Sequence, residues 1–243
     1  MKILWFSAGA TSAVACKLAI ERYGRKNVKI FYFHITTAHQ DNFRFIKDCE
    51  KWYGVKIEIT SSKKFNNQFD VIKKTRYVNG AGGARCTTEL KRAVREKIQK
   101  ELKYTGQVFG FEFNKKEIER SKRVPKEINP IFPLIDEKLT KENCLSILLS
   151  AGIELPAMYK LGYPNNNCIG CVKGGMGYWN KIRIDFPEIF NKMAKAEREV
   201  GRSCLKDDKG LIYLDTLQPS RGKKLEVIIP DCGFFCGDTE QYI

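Results

Sequence analysis

Lys2-Ile-Leu-Trp-Phe6, followed at once by Ser7-Ala-Gly-Ala-Thr-Ser12, is the stretch that decides the fold. Four apolar residues after one lysine read as a buried strand, and the small polar run after them as a turn that opens a helix. That helix is expected to end near Tyr23, with Gly24 as its stop. Outward from it, Val28 to Ile35 is a second strand, dense in aromatic and β-branched residues. Asp41 to Tyr53 reads as a helix closed by Gly54, and Val55 to Thr60 as a third strand. Strand, helix, strand, helix, strand in that order predicts a parallel sheet with right-handed crossovers. The expected fold class is therefore α/β: an open, mostly parallel twisted sheet with helices on both faces.

Further along, Asn-Gly-Ala-Gly-Gly-Ala-Arg-Cys at 79–86 reads as a loop, 87–103 as a strongly charged helix, and Gln107 to Phe113 as a fourth strand. The alternating Phe109, Phe111 and Phe113 fit sheet packing better than base stacking. Prolines 125, 130 and 133 punctuate an irregular stretch before a short amphipathic helix from Thr140 to Ala151. Pro, Gly, Asn and Cys dominate from about residue 156, with one helix near 187–200. Residues 1–152 are read as the α/β body, and 153–243 as a Cys-rich extension that folds back over the body's site.

The chain has 243 residues, 43% hydrophobic, enough for a real core. No apolar run approaches the ~20 residues that span a bilayer. The formal charge of +15 suits polyanionic partners, phosphorylated nucleotides, tRNA or DNA, or simply a soluble basic surface. Nine cysteines, with close pairs at Cys168/Cys171 and Cys232/Cys236, suggest metal binding in a reducing compartment, and so a cytoplasmic protein. Residues 1–16 loosely mimic a secretory leader, but Ser7, Gly9, Thr11 and Ser12 break the apolar stretch.

In the first turn, backbone N–H groups of Ser7, Ala8, Gly9, Ala10, Thr11 and Ser12 converge at the positive end of a helix, as a phosphate cradle requires. Gly9 permits close backbone approach, and the Ser7, Thr11 and Ser12 hydroxyls add donors. An ordinary strand-to-helix turn has the same composition. Cys168-Ile-Gly-Cys171 places two thiols at a spacing that grips one metal or two corners of a cluster, or forms a redox dithiol. Cys86 opens the charged helix beside Arg85, which should lower its thiol pKa. Arg92 and Arg95 share a helix face and could clamp an anion. Cys16, Cys49 and Cys144 sit at apolar-compatible helix positions and read as core.

These segments together resemble one family. Ser7 to Ser12 resembles the PP-loop, Ser-Gly-Gly-x-Asp-Ser, of ATP pyrophosphatases and PAPS reductases, with Ala8 replacing a glycine and Thr11 the Asp. Thr36-Thr37 and Asp41 to Gly54 resemble the family's helix after its Asp-Thr-Gly segment. Asn129-Pro-Ile-Phe-Pro-Leu-Ile135 resembles its "NPL" stretch. Leu161-Gly-Tyr-Pro-Asn-Asn-Asn-Cys-Ile-Gly-Cys171 resembles Gly-Tyr-Pro-Ser-x-Gly-Cys-x-x-Cys, the most specific of these elements. The chain is thus similar to the PAPS reductase family, of the adenine nucleotide α-hydrolase-like (HUP/PP-loop) superfamily.

The resemblance implies more. Arg85-Cys-Thr-Thr-Glu-Leu-Lys-Arg92 resembles the Cys-Cys-x-x-x-Lys stretch of iron–sulfur APS/PAPS reductases, with Arg85 in place of the first cysteine. It implies a [4Fe–4S] cluster, with Zn as the alternative, on Cys86, Cys168 and Cys171. A fourth ligand would come from Cys204, Cys232 or Cys236, with Cys236 favoured. Lys91 matches the family's lysine. Gly110 to Arg120 resembles a Gly-x-Arg…Glu…Arg segment, with Glu112 in place of the first arginine. Asp231-Cys-Gly-Phe234 resembles a Glu-Cys-Gly-x-His tail, which implies Cys232 as nucleophile or as a ligand beside Cys236. Ser7 to Ser12 and Thr36 would contact the adenine nucleotide.

Three functions follow. One is reduction of PAPS or APS, with a thioredoxin-like reductant. Another is ATP- and magnesium-dependent, AMP-forming thiolation of tRNA or DNA. The last is a non-catalytic binding protein that keeps the fold and a structural metal.

Overall fold

The computed structural model describes residues 1–80, 83–226 and 228. Alternation along β1 (Lys2–Phe6) sends Ile3 and Trp5 to one apolar cluster and Leu4 and Phe6 to another, so β1 is buried on both faces. Small residues Ala13, Ala15 and Ala19 on α1 (Ala10–Tyr23) let that helix lie close against the Leu4/Phe6 side. β2 (Val28–Phe33), α2 (Asn42–Tyr53) and β3 (Ile57–Thr60) complete the unit. Gly54 ends α2 in the left-handed region at φ 62°, as its position in the sequence predicts.

The chain continues through α3 (Gln68–Thr75), α4 (Arg85–Thr87), α5 (Ala93–Glu101) and β4 (Gly106–Val108). Next come α6 (Lys115–Ser121), β5 (Pro130–Ile131), α7 (Pro133–Asp136) and α8 (Lys141–Ser150). A capping box between Thr140 and Asn143 starts α8. The five strands are all parallel in the order β3-β2-β1-β4-β5. α1, α2 and α8 pack on the Leu4/Phe6 side, while Ile98 of α5 packs with Ile3, Trp5 and Phe109 on the other. Helices therefore cover both faces, and the order reverses between β1 and β4. Ligands bind at such a switch point in open α/β sheets.

Two expected elements differ. The strand expected over 107–113 ends at Val108, because the chain leaves the sheet through Phe109 and Gly110 to meet the α1 turn. The charged helix is not uniform: a π-helical turn over Thr88–Arg92 joins α4 to α5, and such turns concentrate at functional sites. Residues 1–16, the leader-like stretch, form the central strand and the start of a core helix.

The remainder adds α9 (Ala157–Lys160), α10 (Met176–Asp185), α11 (Pro187–Val200) and the antiparallel pair β6 (Leu205–Asp207) and β7 (Gly210–Ile212). Its apolar residues, Trp179, Ile182, Met193 and Leu214 among them, form one cluster with Phe69, Ile72, Val78 and Ala84 of the body. The extension thus builds its core on α3. Among the described residues no helix is long and apolar enough to cross a membrane.

Candidate functional site

The turn leaving β1 is shaped by Ala8, buried with φ 58° in the left-handed region that favours glycine. The position where the resemblance implies a glycine keeps a glycine-like backbone with an alanine in it. Ser12 fixes the turn: its hydroxyl accepts from the Ser7 amide and hydroxyl, both at 3.0 Å, and donates to the Gly9 carbonyl at 2.8 Å. The Ala10 amide donates to the Tyr159 hydroxyl at 3.2 Å. Asn166 donates to the Ala8 carbonyl at 2.6 Å and to Asn42 at 2.8 Å. Not all the groups expected to cradle phosphate are therefore free: Ser12 and the Ala10 amide are engaged within the protein.

Ser7, Thr11 and Ser12 line a cleft of about 270 Å³ at the switch point, opposite Phe109, Gly110, Phe111 and Glu112. Gly110 makes this possible, since a Cβ there would stand 2.7 Å from Ser12 Cα and 2.8 Å from its nitrogen. The cleft's charges are paired: Lys141 lies 3.6 Å from Glu112, and Arg120 donates to Glu117 at 3.1 Å. Burial raises the Glu112 carboxyl and Lys141 offsets part of that. Where the resemblance implies an arginine, this chain has a half-buried ion pair. Thr36 is not among the residues lining this cleft. Its hydroxyl sits between the Asn66 carbonyl and the Asn67 amide and holds that turn.

A second cavity, about 280 Å³, is lined by Cys86, Cys168, Cys171, Lys91, Lys173 and Arg120. Three thiols from two distant segments, two lysines and one arginine thus face one space. Arg120 borders both cavities. The Cys168–Cys171 turn is held by residues that no sequence motif marked. Gln68 donates to the Ile169 carbonyl at 2.9 Å, and the Ile169 amide donates to the Thr37 carbonyl at 2.9 Å. Tyr178 accepts from the Cys171 amide at 2.9 Å and donates to the Cys168 carbonyl at 3.3 Å. Only the i+7 spacing of Tyr178 from Cys171 could have hinted at this.

The electrostatics of Cys86 run against expectation. Burial, then the neighbouring Cys171 and Cys168 thiols, push it up to about 11, with Lys173 and Lys91 offsetting part. Arg85 does not assist, because it pairs with Glu89 at 2.8 Å. Burial also raises Cys168, and Lys91 pulls it back. Gly174 is required by packing, since a Cβ there would overlap the Tyr178 ring. Gly177 passes against the Lys223 carbonyl. These glycines serve chain packing. Arg95 is half-buried, its guanidinium 5.9 Å from the Phe109 ring centroid. Cys16, Cys49 and Cys144 are buried core residues.

Cys204 begins the turn into β6, its amide donating to the buried Glu197 at 2.6 Å. Burial, Glu197 and the thiols of Cys171 and Cys86 all raise it. Cys232 and Cys236 lie outside the described residues. Among the described residues no group of three or more His, Cys, Asp or Glu side chains is placed to hold a metal ion. A closed site needs about four ligands, so the described residues alone do not complete one. Cys86, Cys168 and Cys171 nonetheless line one basic cavity, so the thiols that an iron–sulfur cluster or a zinc ion would use as donors face a common space.

A family profile for the phosphoadenosine phosphosulfate reductase domain matches residues 2–174. An uncharacterized protein of Methanocaldococcus jannaschii is 26% identical over 206 residues. That alignment covers 80% of this chain and 41% of the archaeal protein, so the chain spans about two fifths of its relative's length.

Proposed function

The chain belongs to the phosphoadenosine phosphosulfate reductase domain family, and from that premise we propose that it reduces an adenine sulfonucleotide, PAPS or APS. The observation that supports this reading is Arg120, which borders both the switch-point cleft and the thiol cavity. A nucleotide whose anionic end meets the β1–α1 turn would extend its sulfate past Arg120 toward Lys91, Lys173 and the thiols. Cations there stabilise the negative charge that builds on the leaving phosphate.

In this reading the Cys232 thiolate attacks the sulfate sulfur. The sulfur–oxygen bond to phosphate breaks, and the nucleotide leaves with the electron pair. One thiolate of a thioredoxin-like dithiol then attacks the Cys232 sulfur and releases sulfite. Its second thiol resolves the mixed disulfide. Sulfur is reduced by two electrons, and the dithiol is oxidised to a disulfide. With Cys232 as nucleophile, Cys86, Cys168 and Cys171, with Cys236 or Cys204, would hold a [4Fe–4S] cluster. When bound, the cluster would tie these segments together beside the cavity and tune its electrostatics.

A second reading is AMP-forming thiolation with ATP. Glu112 and Glu117 line the same cleft as the turn, and on leaving Lys141 and Arg120 they would offer the carboxylates that Thr11 does not, as a magnesium-bound pyrophosphate requires. One experiment separates the readings. Anaerobically purified protein is given PAPS or APS with thioredoxin, or ATP with RNA. The reductase reading expects sulfite, lost in Cys232→Ser. Pyrophosphate release without sulfite overturns it in favour of thiolation. Tight nucleotide binding without turnover overturns both in favour of a binding protein. Iron and acid-labile sulfide, lost together in Cys168→Ser, test the cluster apart from activity.

A further inference from the structure

The chain's charge is not spread evenly. Residues 63–126 carry 18 Lys and Arg against 7 Asp and Glu, so 11 of the 15 net positive charges lie in about a quarter of the sequence. The fold gathers much of this on one side. Val94, Ile98 and Leu102 of the α5 segment pack with Phe109, Phe111, Val124 and Ile128 over the Ile3/Trp5 face of the sheet. α5 and the stretch around α6 thereby flank one apolar ridge and turn most of their charged residues outward, Arg95 excepted.

Several of these cations have no acidic partner. Lys97, Arg120 and Lys122 pair with Glu101, Glu117 and Glu119. Arg92, Lys100, Lys103, Lys115, Lys116 and Lys126 are exposed and make no ion pair among the described residues. Unpaired, solvated lysines and arginines on one face are what a phosphodiester backbone neutralises, with release of its counterions. The same face leads to the site. Arg120 follows Lys115 and Lys116 on α6 and borders both cavities, and Lys91, next to Arg92, lines the thiol cavity.

We propose that this face, α5 with α6 and the turn after it, binds a single-stranded segment of nucleic acid and lays it across the mouths of the two cavities. The single strand follows from size. Cavities of about 270 and 280 Å³ admit one unstacked nucleotide, whereas a base held in a duplex stays outside both. Phe111 and Phe132 are not the stacking platform, since their rings stack on each other at 5.3 Å and Arg120 covers Phe111 at 4.3 Å. Across the face, recognition is of backbone charge with little base preference, and the preference for a single strand comes from the cavity mouths alone. The proposal goes beyond the reductase reading and does not depend on which nucleotide the cleft accepts.

The test is fluorescence anisotropy with labelled 20-mers of single-stranded RNA, single-stranded DNA and duplex DNA across a salt series, without nucleotide substrate. Single strands are expected to bind more tightly than duplex. Replacing Lys100, Lys115 and Lys116 together by Ala should weaken single-strand binding about tenfold and reduce the salt slope by about 2. A charge-matched triple, Lys26, Lys47 and Lys51 to Ala, lies outside this face and should change affinity less than about twofold. Circular dichroism confirms that both variants are folded. Equal losses in the two triples, duplex binding as tight as single-strand binding, or no binding at about 0.15 M salt would each overturn the proposal. Sulfite release is not measured here, so failure of this surface is distinct from failure of the reductase reading.

Discussion

The hydroxyl of Tyr159 accepts a hydrogen bond from the Ala10 amide at 3.2 Å, placing a tyrosine of α9 on the turn that the fold offers to a phosphate. The turn is thus held from outside as well as by its own Ser12. Tyr159→Phe keeps the ring's packing and frees that amide. Stability should fall by about 1 kcal/mol in urea denaturation. Nucleotide affinity, measured by calorimetry, should hold or rise. A loss of affinity with stability intact would mean that the hydroxyl contacts the nucleotide itself.

Gly110→Ala tests the close approach across the switch point. Its Cβ would meet the Ser12 backbone at 2.7 and 2.8 Å, and backbone does not swing aside as a side-chain tip does. The variant should lose about 1–3 kcal/mol of stability. It should also bind adenine nucleotide more weakly, because the turn must shift. Normal binding in a normally stable variant would remove the cleft from the argument.

Asn166→Ala removes the link between the Cys168 turn and the Ala8 carbonyl. The carbonyl and the Asn42 side chain each lose a partner, a cost of about 1–3 kcal/mol. Hydrogen exchange should show faster opening at residues 8–10 than in the parent protein. Unchanged exchange there would mean that the extension does not brace the turn.

Asp41 gives a pH signature. Arg44 bonds its carboxylate and holds its pKa below the ordinary 3.8, helped by the Ala157 amide at 2.8 Å. A depressed carboxylate contributes stability above its unfolded value and loses it as pH falls through the folded one. Asp41→Asn should therefore be less stable than the parent by about 1–3 kcal/mol at neutral pH. The gap should close as pH drops below 3.8. A gap that stays constant down to strong acid would show that charge plays no part in this contact.

Much of the body is legible in the sequence because each element declares itself locally. β1 alternates between two buried faces, Gly24 and Gly54 stop α1 and α2, and Thr140 caps α8. β4 is not legible. The run from Gln107 to Phe113 keeps strand chemistry throughout, but the need of Gly110 to pass the Ser12 backbone ends pairing at Val108. α3, α6 and α10 are not legible either. Their apolar faces are short, and α3 earns its place only by packing against residues far along the chain.

The site divides in the same way. Cys86, Cys168, Cys171 and Lys91 are marked by motif and share one cavity. Gln68, Thr37 and Tyr178, which hold the thiol turn, act through backbone carbonyls and amides that carry no sequence signature. Cys86 is raised where its helix position suggested a lowered pKa. A terminus of three α-helical residues followed by a π turn aligns few peptide dipoles, and two thiols oppose it.

Arg120 lines two chambers, and its guanidinium pairs with Glu117 at 3.1 Å, which has a thermodynamic consequence. An occupant of either chamber that draws this group away from Glu117 changes what the other chamber presents. Each occupant must then alter the other's dissociation constant by the same factor, however small the movement. Titrating one chamber at fixed saturation of the other would measure that factor directly.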